Sequence, residues 1–265
     1  MMKLKIGIFD SGIGGFTILN SLLKTRSDVE VFYLADTKRI PFGNKNFKEI
    51  RFIAKEICTF FDDKNLDALL IACNTTNACA LDILETTLGI PCFELINSVS
   101  EIVSKQIIGV LATQTTVRSS YYKKALSSKK FNLKVFQQEC PEFVSEIEKE
   151  KLNIKKLNYL SDLYLKPLLD NNIEELILGC SHYPLIYDFL RKKLDSNIKI
   201  IDPSEALTKK FNESFSITKI DRYESLSYEN VKFFVTSKKD EFFKKVKIWL
   251  EINKEIRLVN LRSNV

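Results

Sequence analysis

The sequence predicts an α/β fold with largely parallel sheets, built from two similar half-units. Short apolar runs alternate with amphipathic stretches along the chain, which is typical of strands and helices packed around a parallel sheet. Two strand-like strings also recur at nearly the same spacing, first near the N-terminus and again beyond residue 100. This recurrence indicates a duplicated unit.

A first series of strands and helices is predicted within residues 4–96. The apolar runs predict strands at Leu4–Phe9, Val31–Leu34, Ala68–Ala72 and Cys92–Ile96. The amphipathic stretches predict helices at Phe16–Lys24, Phe47–Asp62 and Asn77–Leu88. In the second helix Ile53, Ile57 and Phe61 recur at helical spacing, so we expect this face to be buried.

A second series repeats this order. Its strands are predicted at Ile107–Leu111, Leu133–Phe136, Leu176–Leu178 and Ile198–Ile201, and its helices at Val117–Leu126, Leu157–Asp170 and Leu185–Leu194. The pattern then predicts a strand at Val231–Val235, a helix at Glu241–Leu250 and a strand at Ile256–Leu261. We expect this last segment to complete the first sheet. The first domain would then comprise residues 1–97 plus about 210–265, and the second residues 98–209.

The repeated strings each place a cysteine after a strand. Ile6–Phe9 is similar to Ile108–Leu111, 102 residues later, and the string around Cys73 is similar to the string around Cys180, 107 residues later. Open α/β sheets bind ligands at the carboxyl ends of their strands. We therefore expect each half to present a thiol where a ligand would bind.

Composition excludes several classes of protein. The chain has 265 residues, 40 Lys and Arg and 34 Asp and Glu, and a formal net charge of +6. Its basic residues are scattered among acidic ones. This pattern indicates charged side chains on solvent-exposed faces and does not indicate a surface that binds nucleic acid. No apolar run approaches the roughly 18 residues that a membrane span needs, and no signal peptide is recognised. We expect a cytoplasmic protein without nucleic-acid or membrane partners.

The cysteines fit neither a disulfide framework nor a metal site. In the cytoplasm they are expected to be reduced thiols. No Cys-x-x-Cys pair occurs, and His182 is the only histidine, so no metal site is predicted. The six cysteines are Cys58, Cys73, Cys79, Cys92, Cys140 and Cys180.

The two strand-end thiols are followed by groups able to support acid/base chemistry. Asn74, Thr75 and Thr76 follow Cys73, and a helix starting here would offer free N–H groups and lower the pKa of the thiol. His182 lies two residues after Cys180, close enough to exchange a proton with a group there. Taken singly, each string also fits a buried cysteine beside a capped helix or an incidental histidine.

An acid precedes a glycine-rich turn after the first strand, in the string Phe-Asp-Ser-Gly-Ile-Gly-Gly at 9–15. The string lacks the further spacing of a dinucleotide or P-loop motif, and the carboxylate of Asp10 would repel phosphate. The sequence favours an Asp10 that positions an ammonium or handles a proton. An ordinary aspartate in a turn remains the alternative.

At these positions the chain resembles the cofactor-independent aspartate/glutamate racemase superfamily, and within it the glutamate racemases. The resemblance spans some three quarters of the chain in the family's order. The strings that carry it are Phe-Asp-Ser-Gly-Ile-Gly-Gly at 9–15, Ala-Asp-Thr-Lys-Arg-Ile-Pro-Phe-Gly at 35–43, Ala-Cys-Asn-Thr at 72–75, Ala-Thr-Gln-Thr-Thr at 112–116, Cys-Pro-Glu-Phe-Val at 140–144, Leu-Gly-Cys-Ser-His-Tyr-Pro-Leu at 178–185 and Asp-Pro-Ser-Glu-Ala at 202–206.

The resemblance implies two similar, pseudo-twofold related α/β domains that face each other across an active-site cleft. It implies Cys73 and Cys180 as the acid/base pair, assisted by Asp10 and His182, with Glu148 behind the second thiol. It also implies L- and D-glutamate as substrates, a role in peptidoglycan synthesis, no cofactor and a homodimer. The implied substrate contacts are Asp10, Ser11, Pro41, Phe42, Gly43, Asn74, Thr75, Thr76, Thr113, Ser181 and His182.

Three positions depart from the family's usual pattern. Phe42 stands where a tyrosine is usual, Ser181 replaces a threonine but keeps the hydroxyl, and Asn97-Ser98-Val99 replaces a Glu-Pro-Gly step. None of these changes removes a proton-transfer group. The alternatives are a racemase of aspartate or another amino acid, a non-catalytic two-lobed amino-acid-binding protein, and a thiol redox protein, which the absence of Cys-x-x-Cys disfavours.

Overall fold

The computed structural model describes residues 3–129, 132–215 and 226–262, and within them two parallel sheets surrounded by helices. The strands are β1 (Leu4–Asp10), β2 (Val29–Ala35), β3 (Ala68–Ile71), β4 (Cys92–Glu94), β5 (Ile107–Ala112), β6 (Lys134–Glu139), β7 (Glu175–Gly179), β8 (Lys199–Ile201), β9 (Val231–Val235) and β10 (Ile256–Leu258). The helices are α1 (Phe16–Leu23), α2 (Phe47–Asp62), α3 (Asn74–Leu88), α4 (Leu95–Ile102), α5 (Gln114–Ser119), α6 (Tyr121–Lys129), α7 (Phe143–Ile147), α8 (Ile154–Leu169), α9 (Tyr187–Arg191), α10 (Pro203–Ser214) and α11 (Lys239–Trp249).

The two sheets share one strand order. The first sheet runs β10-β9-β2-β1-β3-β4 and the second β6-β5-β7-β8, and the strand pairs in both are parallel. The order β2-β1-β3-β4 therefore recurs as β6-β5-β7-β8. This confirms the predicted α/β fold with two largely parallel sheets.

The repeat extends to the register of the central strands. Phe9 pairs with Ile71 between β1 and β3, and Leu111 pairs with Leu178 between β5 and β7. These are equivalent positions under the sequence offsets of 102 and 107. The weak similarity of the strings thus reflects a structural repeat in which the two strand-end thiols are equivalent.

The C-terminal segment returns to the first sheet. β9 pairs with β2, and β10 pairs with β9, so the expectation that this segment completes the first sheet is confirmed. β10 ends at Leu258 rather than at the predicted Leu261. Of the range 210–265 assigned to the first domain, residues 216–225 and 263–265 lie outside the described residues.

Several predicted boundaries were wrong. The apolar run Cys92–Ile96 holds only the short strand β4, because the Glu94 carboxylate accepts the backbone N–H groups of Ile96 and Asn97 and so starts α4. The Asn97-Ser98-Val99 step therefore lies within a helix. The predicted helix Val117–Leu126 is broken into α5 and α6 at Ser120, which has a φ of +57°.

Two further helices also differ from the prediction. The predicted helix Leu185–Leu194 consists of a 3₁₀ turn, Tyr183–Ile186, followed by α9. The predicted helix Asn77–Leu88 begins three residues earlier, at Asn74. This earlier start brings the helix N-terminus to the carboxyl end of β3.

Apolar packing joins the two halves. One core lies between α2, α3 and one face of the first sheet and contains Phe9, Ile57 and Phe61. A larger core is continuous from the other face of this sheet, at Ile8, to the second sheet, at Leu178. Burial on this scale provides the main stabilisation of the fold. Within the described ranges no helix is both long and apolar enough to cross a membrane.

Candidate active site

Three chain segments bring the predicted acid/base groups to the carboxyl ends of the central strands. Asp10 ends β1, Cys73 follows β3, and Cys180 follows β7. All three are buried. The two thiols are equivalent in the two halves, whereas Asp10 and His182 lie at non-equivalent positions. The structure thus combines a symmetric pair of thiols with one carboxylate and one imidazole that are placed asymmetrically.

The Cys73 thiol is strongly biased toward its protonated form. Burial and the negative charges of Asp10 and of a Cys180 thiolate raise its pKa to about 12, although hydrogen bonds from Thr76 act in the opposite direction. The helix N-terminus lowers this pKa as expected, through the Thr76 backbone N–H, but desolvation outweighs it and the net shift is upward. Cys73 itself, not Asn74 or Thr75, occupies the N-cap of α3.

His182 links the second thiol to a buried carboxylate. Its Nδ1 lies 4.0 Å from Cys180 Sγ, and its Nε2 lies 2.6 Å from Glu148 Oε1. Burial lowers the pKa of His182, but hydrogen bonds with Cys180 and Glu148 and the charges of Glu148 and Asp10 hold it well above the ordinary value. The imidazole is therefore cationic at neutral pH, with N–H groups directed to both partners.

Glu148 is ionised in this arrangement. Burial raises its pKa, but the hydrogen bond and charge of His182 and the charge of Lys245 lower it to about 2. The backbone N–H of Ile13 donates a further 3.0 Å hydrogen bond to Oε1. Glu148, which the resemblance alone had indicated, thus lies behind His182 and contacts the glycine-rich turn of the first half.

The glycine-rich turn packs directly against the second thiol's loop. A Cβ added to Gly14 would lie 2.3 Å from Ser181 Oγ and 2.8 Å from the backbone nitrogen of His182. Ser181 Oγ also donates a 2.9 Å hydrogen bond to Asp10 Oδ1. Only glycine permits this close approach, so the turn brings Asp10 and the Cys180 loop together.

A cluster of hydroxyl groups joins the two halves on the other side of the site. Thr75 Oγ1 lies 2.9 Å from Thr113 Oγ1 and 3.3 Å from Thr116 Oγ1. Gly43 also abuts Thr113, since an added Cβ would lie 2.5 Å from Cβ of the threonine. Asn74 accepts a hydrogen bond of 2.7 Å from Tyr122, while its amide Nδ2 is buried and has no hydrogen-bond partner among the residues that the structure describes. These groups give the site neutral donors.

The remaining predicted contacts lie near this cluster. Ser11 follows Asp10 directly and is buried. Pro41 and Phe42 precede Gly43, and Phe42 begins a short 3₁₀ helix, Phe42–Asn44. The ring of Phe42 is buried against Phe9, with the centroids 6.1 Å apart. The residue that replaces the usual tyrosine thus belongs to the apolar core.

Three contacting residues were not selected from the sequence. Thr116 lies in the string 112–116 that carried the resemblance, and its spacing from Thr113 on a helix start was the available signal. Tyr122 and Lys245 carry no local signal, because they reach Asn74 and Glu148 from 48 and 97 residues away. In the described part of the chain no group of three His, Cys, Asp or Glu side chains is arranged to hold a metal ion.

Comparisons with known proteins place these features in one family. The sequence profile of the Asp/Glu/Hydantoin racemase family matches residues 17–211. A glutamate racemase of Prochlorococcus marinus (strain NATL1A) is 45% identical over 261 residues, which cover 98% of each chain. A glutamate racemase of Thermoanaerobacter sp. (strain X514) is 35% identical over 249 residues, 92% of each chain.

Solved structures agree over the whole fold. A glutamate racemase isoform from Bacillus anthracis has a TM-score of 0.89 at 29% identity, covering 98% of this chain and 99% of the other. A glutamate racemase from Francisella tularensis, solved in complex with D-glutamate, has a TM-score of 0.88 at 32% identity with the same coverage. With this full-length similarity in sequence and structure, the chain belongs to the Asp/Glu/hydantoin racemase family and, within it, to the glutamate racemases.

Proposed function

We propose that this protein interconverts L-glutamate and D-glutamate by a two-thiol acid/base mechanism that needs no cofactor. Cys73 and Cys180 act on opposite faces of the substrate Cα, Asp10 and His182 assist them, and Glu148 supports His182. Racemisation exchanges two mirror-related substrates. A pair of equivalent bases, one from each half of a repeated fold, suits that symmetry.

The observation that carries this proposal is the equivalence of the two thiols. Each thiol follows the third strand of its half in chain order, β3 or β7. Each lies two residues after the equivalent paired position, Ile71 in β3 and Leu178 in β7. The charge of a Cys180 thiolate raises the pKa of Cys73, so the two groups lie within electrostatic reach of each other. This interaction favours one thiol and one thiolate at a time, which is the state that a two-base racemase requires.

The protons balance as follows. With L-glutamate, a Cys180 thiolate takes the proton from Cα as the Cα–H bond breaks, and Cys73 donates its Sγ proton to the opposite face. The products are D-glutamate, a Cys180 thiol and a Cys73 thiolate. With D-glutamate the same steps run in reverse. The imidazolium of His182 lies 4.0 Å from Cys180 Sγ and can donate to that sulfur.

The chemistry demands strong stabilisation of the carbanion. A turnover of 1–10³ per second corresponds to a barrier of about 13–17 kcal/mol, and each pKa unit amounts to about 1.36 kcal/mol. Proton transfer can therefore climb at most roughly 12 pKa units. A thiolate with an ordinary pKa of about 8.5 can then deprotonate only a carbon with an effective pKa below about 20. Free glutamate is a weaker carbon acid than this. Donors in a closed site must bind the α-carboxylate as charge develops.

The contacts that we propose for glutamate include backbone N–H donors at the starts of α1 and α3 and of the 3₁₀ turn Tyr183–Ile186. The hydroxyl cluster, the Asn74 amide without a partner and the Asp10 carboxylate supply groups for the two carboxylates and the ammonium. The full set is Asp10, Ser11, Pro41, Phe42, Gly43, Asn74, Thr75, Thr76, Thr113, Ser181 and His182.

The family resemblance also underlies the remaining proposals. We propose that the product D-glutamate supplies peptidoglycan synthesis, that the protein acts in the cytoplasm as a homodimer, and that its two domains have the limits predicted from the sequence.

The deciding experiment measures loss of optical rotation with L-glutamate, D-glutamate and L-aspartate in parallel. We expect racemisation of both glutamate enantiomers, little turnover of L-aspartate, and unchanged rates after dialysis against a chelator. Faster turnover of L-aspartate would identify an aspartate racemase. Binding of glutamate without turnover would indicate a binding protein, and activity restored only by added metal or pyridoxal phosphate would contradict cofactor independence.

A further inference from the structure

Glu148 is a junction of three segments of the chain. His182, from the loop after β7, and the Ile13 N–H, from the glycine-rich turn, both contact Oε1, at 2.6 and 3.0 Å. The ammonium of Lys245, from α11, lies 2.5 Å from Oε2. The side chains of Glu148 and Lys245 are only 13% and 14% exposed. Each carboxylate oxygen is thus held from a different direction.

We infer that Lys245 is a positioning residue for the reaction: it fixes the Glu148 carboxylate against His182 and so holds the imidazole beside Cys180. This inference deepens the proposed function and rests on it. It assigns a role at the site to the C-terminal helix, which comes from the first half of the molecule, whereas Glu148 and His182 come from the second.

The anchoring of α11 makes Lys245 suitable for this role. Phe242 and Val246, on either side of Lys245, are buried in the large core. The lysine stem therefore starts from a fixed backbone. Holding the ammonium in one place costs less conformational entropy here than on a free helix face. A buried ion pair with shared hydrogen bonds is also weakly screened by solvent.

The other charged groups around Glu148 are engaged elsewhere. A pocket of about 220 Å³ beside the carboxylate is lined by Lys149, Lys238, Glu241 and Lys245 among others. Lys149 bonds both oxygens of Glu146, at 2.7 Å, and Lys238 lies 3.5 Å from Glu241.

Asp10 and Tyr33 are the other titratable groups near Glu148 and His182. Burial lowers the pKa of His182, while the charge of Asp10 raises it, so this carboxylate also lies near the imidazole. Burial raises the pKa of Tyr33, and the charges of Asp10 and Glu148 raise it further, so the phenol lies near both acids. In the described residues Lys245 is therefore the lysine that pairs with Glu148.

The pH behaviour of Glu148 gives a readout. The charge of Lys245 is one reason why the pKa of this carboxyl is about 2. Without that charge the pKa moves toward the ordinary glutamate value of about 4.3. Protonation of Glu148 removes its negative charge and so weakens the charge-assisted hydrogen bond from the Nε2–H of His182. Without Lys245 this weakening occurs at a higher pH.

The experiment follows His182, the only histidine of the chain, by NMR of its ring N–H groups in protein without a histidine tag. The variants are Lys245→Met, Lys245→Arg and the control Lys244→Met, whose lysine is 55% exposed and pairs with Glu150, itself 64% exposed. Between pH 7 and pH 3 we expect the hydrogen-bonded Nε2–H signal to persist in the wild type, Lys245→Arg and Lys244→Met. In Lys245→Met it should be lost at least about one pH unit higher.

Kinetics supply a second readout. Lys245→Met should lower kcat/KM roughly tenfold in both directions and should lower kcat more for the same enantiomer as His182→Asn does, and Lys245→Arg should recover most of this loss. Lys245→Gln replaces Lys245→Met if the latter fails to fold by circular dichroism. A wild-type-like signal and kcat in the uncharged variant, or an equal loss in Lys244→Met, would overturn the inference. If the wild type does not racemise glutamate, the proposed function fails, and the NMR result alone decides the role of Lys245.

Discussion

Ser181 Oγ donates a 2.9 Å hydrogen bond to Asp10 Oδ1 and so connects the loop of the second thiol to the end of the first strand. The other oxygen of Asp10 accepts the Gly12 N–H at 3.0 Å. Asp10 is fully buried, so both contacts are needed to satisfy its charge. This bond therefore fixes the loop that follows Cys180 against the end of β1.

The Ser181 bond predicts a contrast between two substitutions. Ser181→Ala leaves Asp10 with one donor fewer, and a hydrogen bond to a charged group contributes about 1.5–3 kcal/mol. We expect kcat/KM to fall roughly ten- to a hundredfold, equally in both directions. Ser181→Thr keeps the hydroxyl and should stay within about threefold of the wild type. Equal losses in the two variants would show that side-chain size, not the hydroxyl, matters.

Asp10 and His182 should affect opposite directions of the reaction. Asp10 ends β1, where its charge acts on Cys73, whereas His182 contacts Cys180, so we expect each to assist one thiol. Asp10→Asn and His182→Asn should each lower kcat more for one enantiomer, with the preference exchanged between them. The asymmetry must appear in kcat with a matching change in KM, because the equilibrium constant between enantiomers is one. Symmetric losses in both variants would reduce these residues to general binding groups.

Gly14 should be intolerant of even a methyl group. An added Cβ would lie 2.8 Å from the backbone nitrogen of His182, and backbone cannot yield as a flexible side chain can. Gly14→Ala should lower kcat by more than tenfold by separating Asp10 from Ser181. As a control, Gly89 has a φ of +62°, and no atom of the described residues lies within 4 Å of an added Cβ. Gly89→Ala should cost about 1 kcal/mol of stability and leave kcat unchanged.

Much of this arrangement is visible in the sequence because local chemistry decides it. The runs Ile6–Phe9, Ala68–Ile71 and Leu176–Leu178 are apolar throughout, as buried parallel strands require. The acid or thiol after each run lies at the carboxyl end of its strand whatever the helices do. The glycine-rich turn after Asp10 has a clear signature as well. These features place Asp10, Cys73 and Cys180 at carboxyl ends of central strands.

The rest depends on contacts that no local pattern records. The Cys92–Ile96 run has the composition of a strand, but the Glu94 carboxylate caps a helix there. The raised pKa of Cys73 follows from burial and from charges on other loops. Lys245 meets Glu148 across 97 residues, and neither residue has neighbours in sequence that would identify the pair.

Glu148 should confer stability that depends on pH in one direction. Burial raises its pKa, but His182 and Lys245 lower it from 4.5 to about 2. A carboxyl whose pKa is lowered on folding stabilises the native state above its unfolded pKa, and this contribution is lost as pH falls from about 5 through about 2. At about 1.36 kcal/mol per pKa unit, this shift corresponds to about 3 kcal/mol of unfolding free energy. That energy belongs to the Glu148–His182 pair as a whole and is not added again for His182.

Urea unfolding of Glu148→Gln tests this effect. We expect a loss of about 3 kcal/mol at pH 7 that shrinks below about pH 4, where the wild type loses the same contribution. Glu150→Gln is the matched control, because Glu150 is 64% exposed and such pairs contribute about 0–1 kcal/mol. A constant difference between wild type and Glu148→Gln from pH 7 to pH 3 would contradict the prediction.

Cys73 and Cys180 should behave as separate, one-sided bases. We expect each thiol to reach one face of Cα only. In D₂O the wild type should then place deuterium in the product at the first turnover, while recovered substrate stays largely protiated. A single base would return part of the substrate's own hydrogen to the product. Proton NMR of Cα–H in both enantiomers distinguishes these outcomes.

Serine variants sharpen this test, because a serine hydroxyl is a far weaker acid than a thiol. Cys73→Ser and Cys180→Ser should both abolish net racemisation, whereas Cys92→Ser, at a cysteine that begins β4, should not. The remaining thiol should still exchange the α-hydrogen of its own enantiomer with retention: L-glutamate in Cys73→Ser and D-glutamate in Cys180→Ser. If either variant racemised both enantiomers at near wild-type rates, one thiol would be a spectator and the two-thiol mechanism would be wrong.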